Sequence, residues 1–301
     1  MSNYGTTRLL TPSKEEEIYP YHPVWPPVIV ISVSLIGVAT VSFVFFELFS
    51  IQLLPEVNAV LRYAIALLPM LLWLTLAYRP ERNVQIPRSR LMTVAIATGF
   101  VAASIGLPFT NTVLRPQEWL SLESAVNRIV GYTLTVGVIQ EFLKYLVLRF
   151  TVWPAEMRIR QDSVAYGLAA AVGYGTVVSL DYVLTYSATV DAVGVRVLTI
   201  FAMNLAGSLV LSYGLAETWF SRATPVLLPI TLIVAALITG IAIPIRAGFV
   251  NPSLALTVSN TRDILGLGFG AALATLPLLV VLFLYNVAET SEKIALRSLS
   301  D

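Results

Sequence analysis

Long apolar segments alternate with short polar stretches along most of this chain. The polar stretches contain prolines, asparagines and charged residues, which are typical of loops. The apolar segments cover residues 28–54, 59–78, 91–108, 126–153, 164–186, 195–216, 225–245 and 264–286. A helix needs about 20 residues to cross the hydrocarbon core of a bilayer. The pattern therefore predicts an all-α fold, a polytopic transmembrane helix bundle of about eight spans.

The composition supports a membrane protein and argues against several soluble classes. Charged residues make up 12% of the chain, about half of the roughly 25% found in soluble domains, and the mean hydropathy is +0.78. The net charge is +1 without a basic block, so we expect no nucleic-acid partner. The chain has no cysteine and one histidine, His22, which excludes a Cys–zinc site and a histidine-rich metal cluster.

The spans leave no room for a folded soluble domain. We expect three regions: a cytoplasmic tail at 1–26, the eight-span bundle at 27–287 and a cytoplasmic tail at 288–301. Near the span ends, 12 Lys and Arg residues lie on the side of the N-terminus and 6 on the other side. Because cytoplasmic loops are enriched in Lys and Arg, this asymmetry predicts a multi-pass protein of the plasma (inner) membrane with both termini cytoplasmic.

Ionisable residues inside the fourth span are the first candidates for chemistry. Glu141 and Lys144 are three residues apart, and Gln140 and Lys144 are four apart, so all three share one helix face. Ionisable groups in a membrane need a partner or a water-filled cavity. A Glu–Lys pair lowers the cost of insertion, so a structural ion pair and a site for substrate or ions both remain open.

The next two spans also carry small or polar faces. The fifth span has small residues at a spacing of four: Gly167, Ala171, Gly175 and Ser179. Such a face lets a neighbouring helix approach closely. Asp181 follows near the outer end of that span, and the sixth span contains Asn204. We expect the three spans to surround a common centre formed by these side chains: Glu141, Lys144, Asp181 and Asn204.

Other charged residues lie near the ends of spans. Four such residues are Glu47, Arg62, Arg196 and Glu217. Long charged side chains there can cover apolar surface with their stems while the charged group reaches the water. We therefore expect these four residues to extend towards the membrane interface.

Residues 140–144, Gln-Glu-Phe-Leu-Lys, resemble the Glu-Glu-x-x-Lys motif of PrsW-type intramembrane proteases, a family of the CAAX-protease-like superfamily. Residues 162–175 are similar to the opening of that family's next helix. Asp181 falls where the family carries a Glu-Asn pair, and Asn204 falls where it has a His. The resemblance covers about residues 130–215. It implies a helical bundle whose acidic and histidine side chains activate a water molecule, around a metal in some accounts.

The chain departs from the family pattern at three of these positions. Gln140 replaces the first Glu, Asp181 replaces a Glu and Asn204 replaces the His. Glutamine carries no titratable proton, and asparagine cannot act as a base near neutral pH. A metal between Glu141 and Asp181 would have only two carboxylate ligands, and Lys144 would repel it, so we expect no metal and no cofactor.

Three functions remain open. The first is a PrsW-like pseudoprotease that binds transmembrane segments of other membrane proteins within the lipid bilayer, as scaffold or regulator. The resemblance allows this function because the superfamily has a non-catalytic branch, the Aph subunit of gamma-secretase. The second is an active intramembrane endopeptidase with Glu141 and Asp181 as catalytic carboxylates and Gln140, Lys144 and Asn204 in support. The third is a transporter or channel. Whether the two carboxylates can share a water discriminates between the first two.

Overall fold

The computed structural model describes residues 22–49, 51, 53–121, 123–221, 226–250 and 260–297. Over these ranges the chain is helical and has no strand, which confirms the predicted all-α class. The long helices are α1 (Trp25–Ser42), α2 (Pro55–Trp73), α3 (Leu91–Val101), α4 (residues 125–151), α5 (Arg160–Thr185), α6 (Val190–Phe220), α7 (Leu227–Val250) and α8 (Asn260–Arg297).

Seven of the described helices are long and apolar enough to cross a membrane, which supports a multi-pass membrane protein. They are Trp25–Glu47, Pro55–Glu81, Leu91–Trp119, Arg160–Thr185, Val190–Phe220, Leu227–Arg246 and Ile264–Ala288. The remaining predicted span, 126–153, lies largely within α4. That helix is continuous, but its charged residues make it less apolar than the others: Arg128, Glu141, Lys144 and Arg149.

The two central helices are α5 and α6. In each of them 83% of the apolar window is buried, whereas the other candidate spans are 22–39% buried. Close approach of α3 to α5 depends on glycines: a Cβ at Gly173 would collide with the backbone oxygen of Ala95, and one at Gly99 would lie 3.3 Å from the backbone oxygen of Gly173. The predicted small-residue face of α5, which includes Gly167, Ala171 and Gly175, does not contain Gly173, so the contact between α5 and α3 was not predicted.

Four helices contain π-helical turns, which insert a residue and widen the helix. The π segments are Phe43–Leu48 after α1, Leu74–Tyr78 after α2, Ala102–Gly106 and Phe109–Leu114 after α3, and Thr133–Gly137 within α4. Side-chain hydroxyls can bond backbone carbonyls near such interruptions. The hydroxyl of Thr133 donates to the carbonyl of Ile129 and that of Thr135 to the carbonyl of Gly131, both at 2.7 Å.

Buried ion pairs fix the end of the bundle where α1 begins. Arg88 Nε lies 2.7 Å from Asp162 Oδ1, and Arg88 Nη1 lies 2.8 Å from Glu81 Oε2. Asp162 also accepts a hydrogen bond from the backbone N–H of Ile159 (2.9 Å), next to the first turn of α5. The loop before α3, a short turn after α2 and the start of α5 are therefore held together by a charged network.

Two residues expected to extend towards the interface bind partners on neighbouring helices. Glu217 is 7% exposed, and Arg160 Nε lies 2.9 Å from its Oε1. The expectation was wrong for Glu217, because this partner competes with water for the charged group. Arg62 donates through Nη2 to the backbone oxygens of Val183 (2.9 Å) and Tyr186 (2.6 Å), at the end of α5, and it is partly exposed, so for Arg62 the expectation stays a prediction.

The first and last helices extend past the predicted limits of the bundle. Helix α8 continues to Arg297, so residues 288–297 of the predicted C-terminal tail are helical. At the other end α1 already begins at Trp25. Residues 1–21 and 298–301 lie outside the described residues.

Candidate functional site

Five buried polar side chains meet between α4 and α6. We call this group the central cluster: Gln140, Glu141, Lys144, Asn204 and Ser208. Four of them are 0% exposed and Gln140 is 3% exposed. Lys144 Nζ lies 2.7 Å from Glu141 Oε1, and Gln140 Nε2 donates to Asn204 Oδ1 at 2.6 Å. Lys144 also donates to Ser208 Oγ (3.1 Å) and to the backbone oxygen of Asn204 (3.3 Å).

Helical spacing brings these residues together. On α4, Gln140, Glu141 and Lys144 fall within one turn, and on α6, Asn204 and Ser208 are four residues apart and face the same way. The Asn204 amide nitrogen donates to the carbonyl of Ile200 at 2.9 Å. The ion pair and these interhelical hydrogen bonds couple α4 to α6, as expected for polar groups buried in a membrane bundle.

A glycine on α6 makes space for the Glu141 carboxylate. A Cβ at Gly207 would lie 2.5 Å from Glu141 Oε1 and 2.9 Å from Oε2. On the other side, the hydroxyl of Thr239 on α7 faces the same carboxylate. Glu141 is therefore enclosed by three helices. Gly207 is a residue of the site that the motifs do not predict, although its position between Asn204 and Ser208 on the polar face of α6 is a signal in the sequence.

Asp181 does not belong to the central cluster. Gly175 of α5 lies opposite Asn204, where its Cβ would be 3.7 Å from the Asn204 Cβ. Asp181 is six residues further along, about 9 Å nearer to the end of α5 at 1.5 Å per residue. Among the described residues no hydrogen bond or ion pair to Asp181 is formed. The expected common centre of Glu141, Lys144, Asp181 and Asn204 is wrong for Asp181, because the register of α5 sets its depth.

The three small residues of α5 lie at its contact with α6. A Cβ at Gly167 would collide with Ser212 Oγ and would lie 3.1 Å from the backbone oxygen of Ser208. Ala171 is 0% exposed. Together with Gly175 opposite Asn204, these positions form one face along which α5 approaches α6 closely.

A cavity of about 820 Å³ opens at the end of the bundle where α1, α3, α5 and α7 finish. We call it the distal cavity. The charged residues in its wall are Arg115, Glu118, Asp181, Asp191, Arg196 and Arg246. The widened turns of three helices border the space, because five of its lining residues lie in π segments: Phe43, Gly106, Thr110, Asn111 and Val136.

The inner end of the distal cavity reaches the central cluster without exposing its carboxylate. Gln140 and Tyr174 line the cavity, and the Tyr174 ring centroid lies 5.9 Å from Lys144 Nζ. Asp181 lies in the cavity wall, whereas Glu141 is 0% exposed. The cavity therefore contacts Asp181 directly and is separated from Glu141 by other residues.

Arg196, one of the residues expected to extend towards the interface, is a wall residue of the distal cavity. Its guanidinium carbon lies 4.7 Å from the ring centroid of Tyr182 on α5. Its Nε is buried and has no hydrogen-bond partner among the described residues. The sequence carried a signal for this position. Arg196 lies in the second turn of an apolar helix, and the preceding helix ends in a segment with two tyrosines, Tyr182 and Tyr186.

The central cluster does not fit a metal ion. In the described part of the chain, no three His, Asp or Glu side chains converge at one point. The Lys144 ammonium lies 2.7 Å from Glu141 Oε1, the position that a cation bound to this carboxylate would take. Asn204 Oδ1 is engaged by Gln140. The cluster therefore offers one carboxylate, which already has a cationic partner, and we derive no metal-dependent step.

No family model, no curated protein and no solved structure matches this chain. The resemblance to PrsW-type proteases therefore stays a hypothesis based on the motifs of α4, α5 and α6.

Proposed function

We propose that this chain is a PrsW-like membrane protein without peptidase activity, which binds transmembrane segments of partner proteins as a scaffold or regulator. One observation supports the loss of activity most directly. Glu141, the retained acidic residue of the motif, is 0% exposed and paired with Lys144 at 2.7 Å. A carboxylate held in this way is unable to position a water molecule for attack.

The position of Asp181 supports the same proposal. Hydrolysis by two carboxylates requires both groups within hydrogen-bond reach of one water or of the scissile bond. Asp181 lies in the distal cavity wall, about 9 Å along the helix axis from the level of the central cluster. Loss of one general acid–base group typically lowers a rate by about 10²–10⁴-fold. We therefore propose that Glu141 and Asp181 do not act as a catalytic pair, and that the protein needs no cofactor.

The outer helices support a partner within the membrane. Only 22% of the apolar window is buried in the spans of α2 and α8, so most of their apolar surface is available to lipid or to another helix. Neighbouring helices in a bilayer associate through packing and hydrogen bonds rather than through water exclusion. A transmembrane segment is the kind of partner that such a surface accepts.

Reconstitution with single-span peptides tests cleavage and binding together. The purified protein and a panel of fluorescently labelled peptides are placed in lipid vesicles, association is followed by energy transfer, and products are sought by mass spectrometry. We expect saturable energy transfer and no cleavage, with the same result for Glu141→Gln as matched control. Cleavage by the native chain that disappears in Glu141→Gln would overturn the proposal in favour of the endopeptidase.

The distal cavity favours a transporter or channel as a second candidate. A cavity of about 820 Å³ between membrane helices is typical of ligand sites in size. Transport would require the space to open towards the other end of the bundle, past Gln140 and Tyr174. Solute or ion flux into proteoliposomes, absent from vesicles without the protein, would support this candidate over the scaffold.

We also propose that the protein resides in the plasma (inner) membrane with both termini in the cytoplasm. The support is the asymmetry of 12 against 6 Lys and Arg residues near the span ends. Cysteines introduced at Ser2 and Ser298, both outside the described residues, should resist a membrane-impermeant thiol reagent in intact cells. Because the native chain has no cysteine, labelling of either position would contradict this orientation.

A further inference from the structure

The distal cavity has an arginine in its wall, Arg196, that forms no ion pair with another described residue and whose Nε is buried. We propose that this cavity binds an amphiphile with a single anionic head group, which Arg196 recognises, while the apolar part of the ligand lies deeper between the helices. The inference concerns a ligand site and is independent of whether the protein binds partner helices.

Four of the other charges of the distal cavity are compensated in simpler ways, and the fifth, Arg246 near the end of α7, is partly exposed. Arg115 and Glu118 form an exposed pair at 3.6 Å. Asp191 lies in the first turn of α6, where the free backbone N–H groups of the helix favour a carboxylate. Asp181 is partly exposed at the cavity wall, so water reaches it.

Arg196 differs from these residues. It lies in the second turn of α6, and its Nε is buried. In the part of the chain that the structure describes, its guanidinium makes no ion pair and no hydrogen bond, and it stacks at 4.7 Å on the Tyr182 ring. A cation inside a membrane helix is costly unless an anion or water compensates it. An anionic ligand would supply that compensation.

The chemistry of the arginine specifies the head group. A guanidinium presents several N–H donors in a planar fork that matches the two oxygens of a carboxylate or phosphate. Asp181 lies in the same wall and repels additional negative charge. The site therefore favours a ligand with one anionic group over a polyanion.

The face of α6 that follows Arg196 is apolar and leads into the bundle. Ile200 and Met203 are four and seven residues further on, so they share the face of Arg196, and both line the distal cavity. Met203 lies about 10 Å deeper at 1.5 Å per residue. Val136 and Val178 contribute further apolar wall from α4 and α5. A charged entrance above an apolar interior matches a head group with an attached hydrocarbon chain.

The size and inner end of the space restrict the ligand further. The volume of about 820 Å³ falls within the range of roughly 300–1,000 Å³ that is typical of small-molecule sites. The cavity ends at Gln140, whose amide is bonded to Asn204. A single-chain amphiphile fits this space, whereas a helix that crosses the membrane would have to displace the central cluster.

Photolabelling in a bilayer tests the site directly. The full chain is placed in phosphatidylcholine nanodiscs and labelled with a diazirine analogue of dodecanoate, and adducts are mapped by mass spectrometry. We expect saturable labelling of the cavity-lining parts of α5 and α6. Dodecanoate should displace the label, while dodecanol and dodecyltrimethylammonium should not. Stronger displacement by the cationic probe than by dodecanoate, or labelling confined to the outer helices, would overturn the proposal.

Variants of Arg196 test its role. Arg196→Gln should lower the affinity for dodecanoate by about 10- to 100-fold, as expected for lost hydrogen bonds to a charged group, and Arg196→Lys should retain part of it. The matched control is Arg128→Gln, which changes an arginine at the same end of the bundle that does not line the cavity. Unchanged affinity in a folded Arg196→Gln protein would overturn the proposal; if that variant does not fold, Arg196→Lys and the adduct map of the native chain decide.

A change of bilayer identifies the source of the ligand. If phosphatidylglycerol in the nanodisc competes with the dodecanoate label and Arg196→Lys weakens that competition, the occupant is an anionic lipid head group. If phosphatidylglycerol has no effect, the site selects a free single-chain amphiphile. Both outcomes support the anion site, and neither depends on the energy transfer measured with single-span peptides.

Discussion

Replacing Lys144 with methionine should destabilise the protein more than replacing both members of its ion pair. Lys144→Met removes the positive charge 2.7 Å from Glu141 and leaves that carboxylate 0% exposed without a counterion. The double variant Lys144→Met with Glu141→Gln removes both charges and keeps similar side-chain volumes. Comparison of the two separates the cost of an unpaired buried charge from the loss of the contacts.

The expected magnitude follows from the burial of the pair. Removing one partner of a buried ion pair typically costs about 3–5 kcal/mol, whereas replacing the whole pair with groups of similar volume is often close to neutral. Lys144 also donates to Ser208 at 3.1 Å, and the double variant loses that hydrogen bond, which contributes about 1 kcal/mol. The single variant should therefore unfold at a temperature lower by on the order of 10 °C, and the double variant should recover most of the difference.

Thermal unfolding in a mild detergent, followed by the loss of monodisperse protein, measures both variants under one condition. Arg90→Met is the control, because Arg90 is 54% exposed in its 3.3 Å pair with Glu156 and exposed pairs contribute about 0–1 kcal/mol. Equal midpoints for the single and double variants would refute the reasoning, because the cost would not come from an unpaired carboxylate. A Lys144→Met midpoint equal to that of Arg90→Met would show that water reaches the pair.

Three further changes test packing and burial by the same unfolding assay. Gly175→Leu should lower the free energy of unfolding by about 1–3 kcal/mol, because its side chain would press on Asn204; Gly268→Leu, with open space around it, should not. Gly207→Ala should destabilise by a similar amount through the Glu141 carboxylate, whereas Gly37→Ala, where nothing lies within 4 Å, should be neutral or stabilising by about 0.5–1 kcal/mol. Asp162→Asn should lower the free energy of unfolding by about 1–3 kcal/mol, because it weakens the buried ion pair with Arg88. An unchanged unfolding midpoint in any of the three variants would contradict the contact that the variant alters.

The sequence could predict whatever depends on the spacing within one helix. Apolar segment lengths were sufficient for the all-α bundle, and a spacing of three or four residues placed Gln140, Glu141 and Lys144 on one face, where the structure has all three in the central cluster. The prediction of α4 as a membrane span was the exception. Its polar residues contribute to the central cluster, and they also lower its hydropathy, so it is not among the seven candidate spans.

Features that depend on the register between helices could not be predicted from the spacing of residues within one helix. The depth of Asp181 relative to Glu141 follows from which residue of α5 lies opposite Asn204, and no local pattern specifies that. Arg62 and Glu217 find their partners 121 and 57 positions away in the chain. The distal cavity is formed by residues of six helices, so its volume and its unpaired Arg196 emerge only from the assembled bundle.

The central cluster has a structural reason to persist even without catalysis. The Lys144 ammonium reaches Glu141 on its own helix and three acceptor atoms on α6, and Gln140 meets Asn204 only in the same alignment. Sliding α4 by one turn, about 5.4 Å, would keep the Glu141–Lys144 pair. It would leave the Lys144 ammonium without its acceptors on α6 and the Gln140 amide without Asn204, at a cost of several kcal/mol. Apolar side chains discriminate between such registers far less, because neighbouring lipid is as apolar as they are. A motif of this kind therefore specifies how two helices fit together, and its presence alone does not establish a protease.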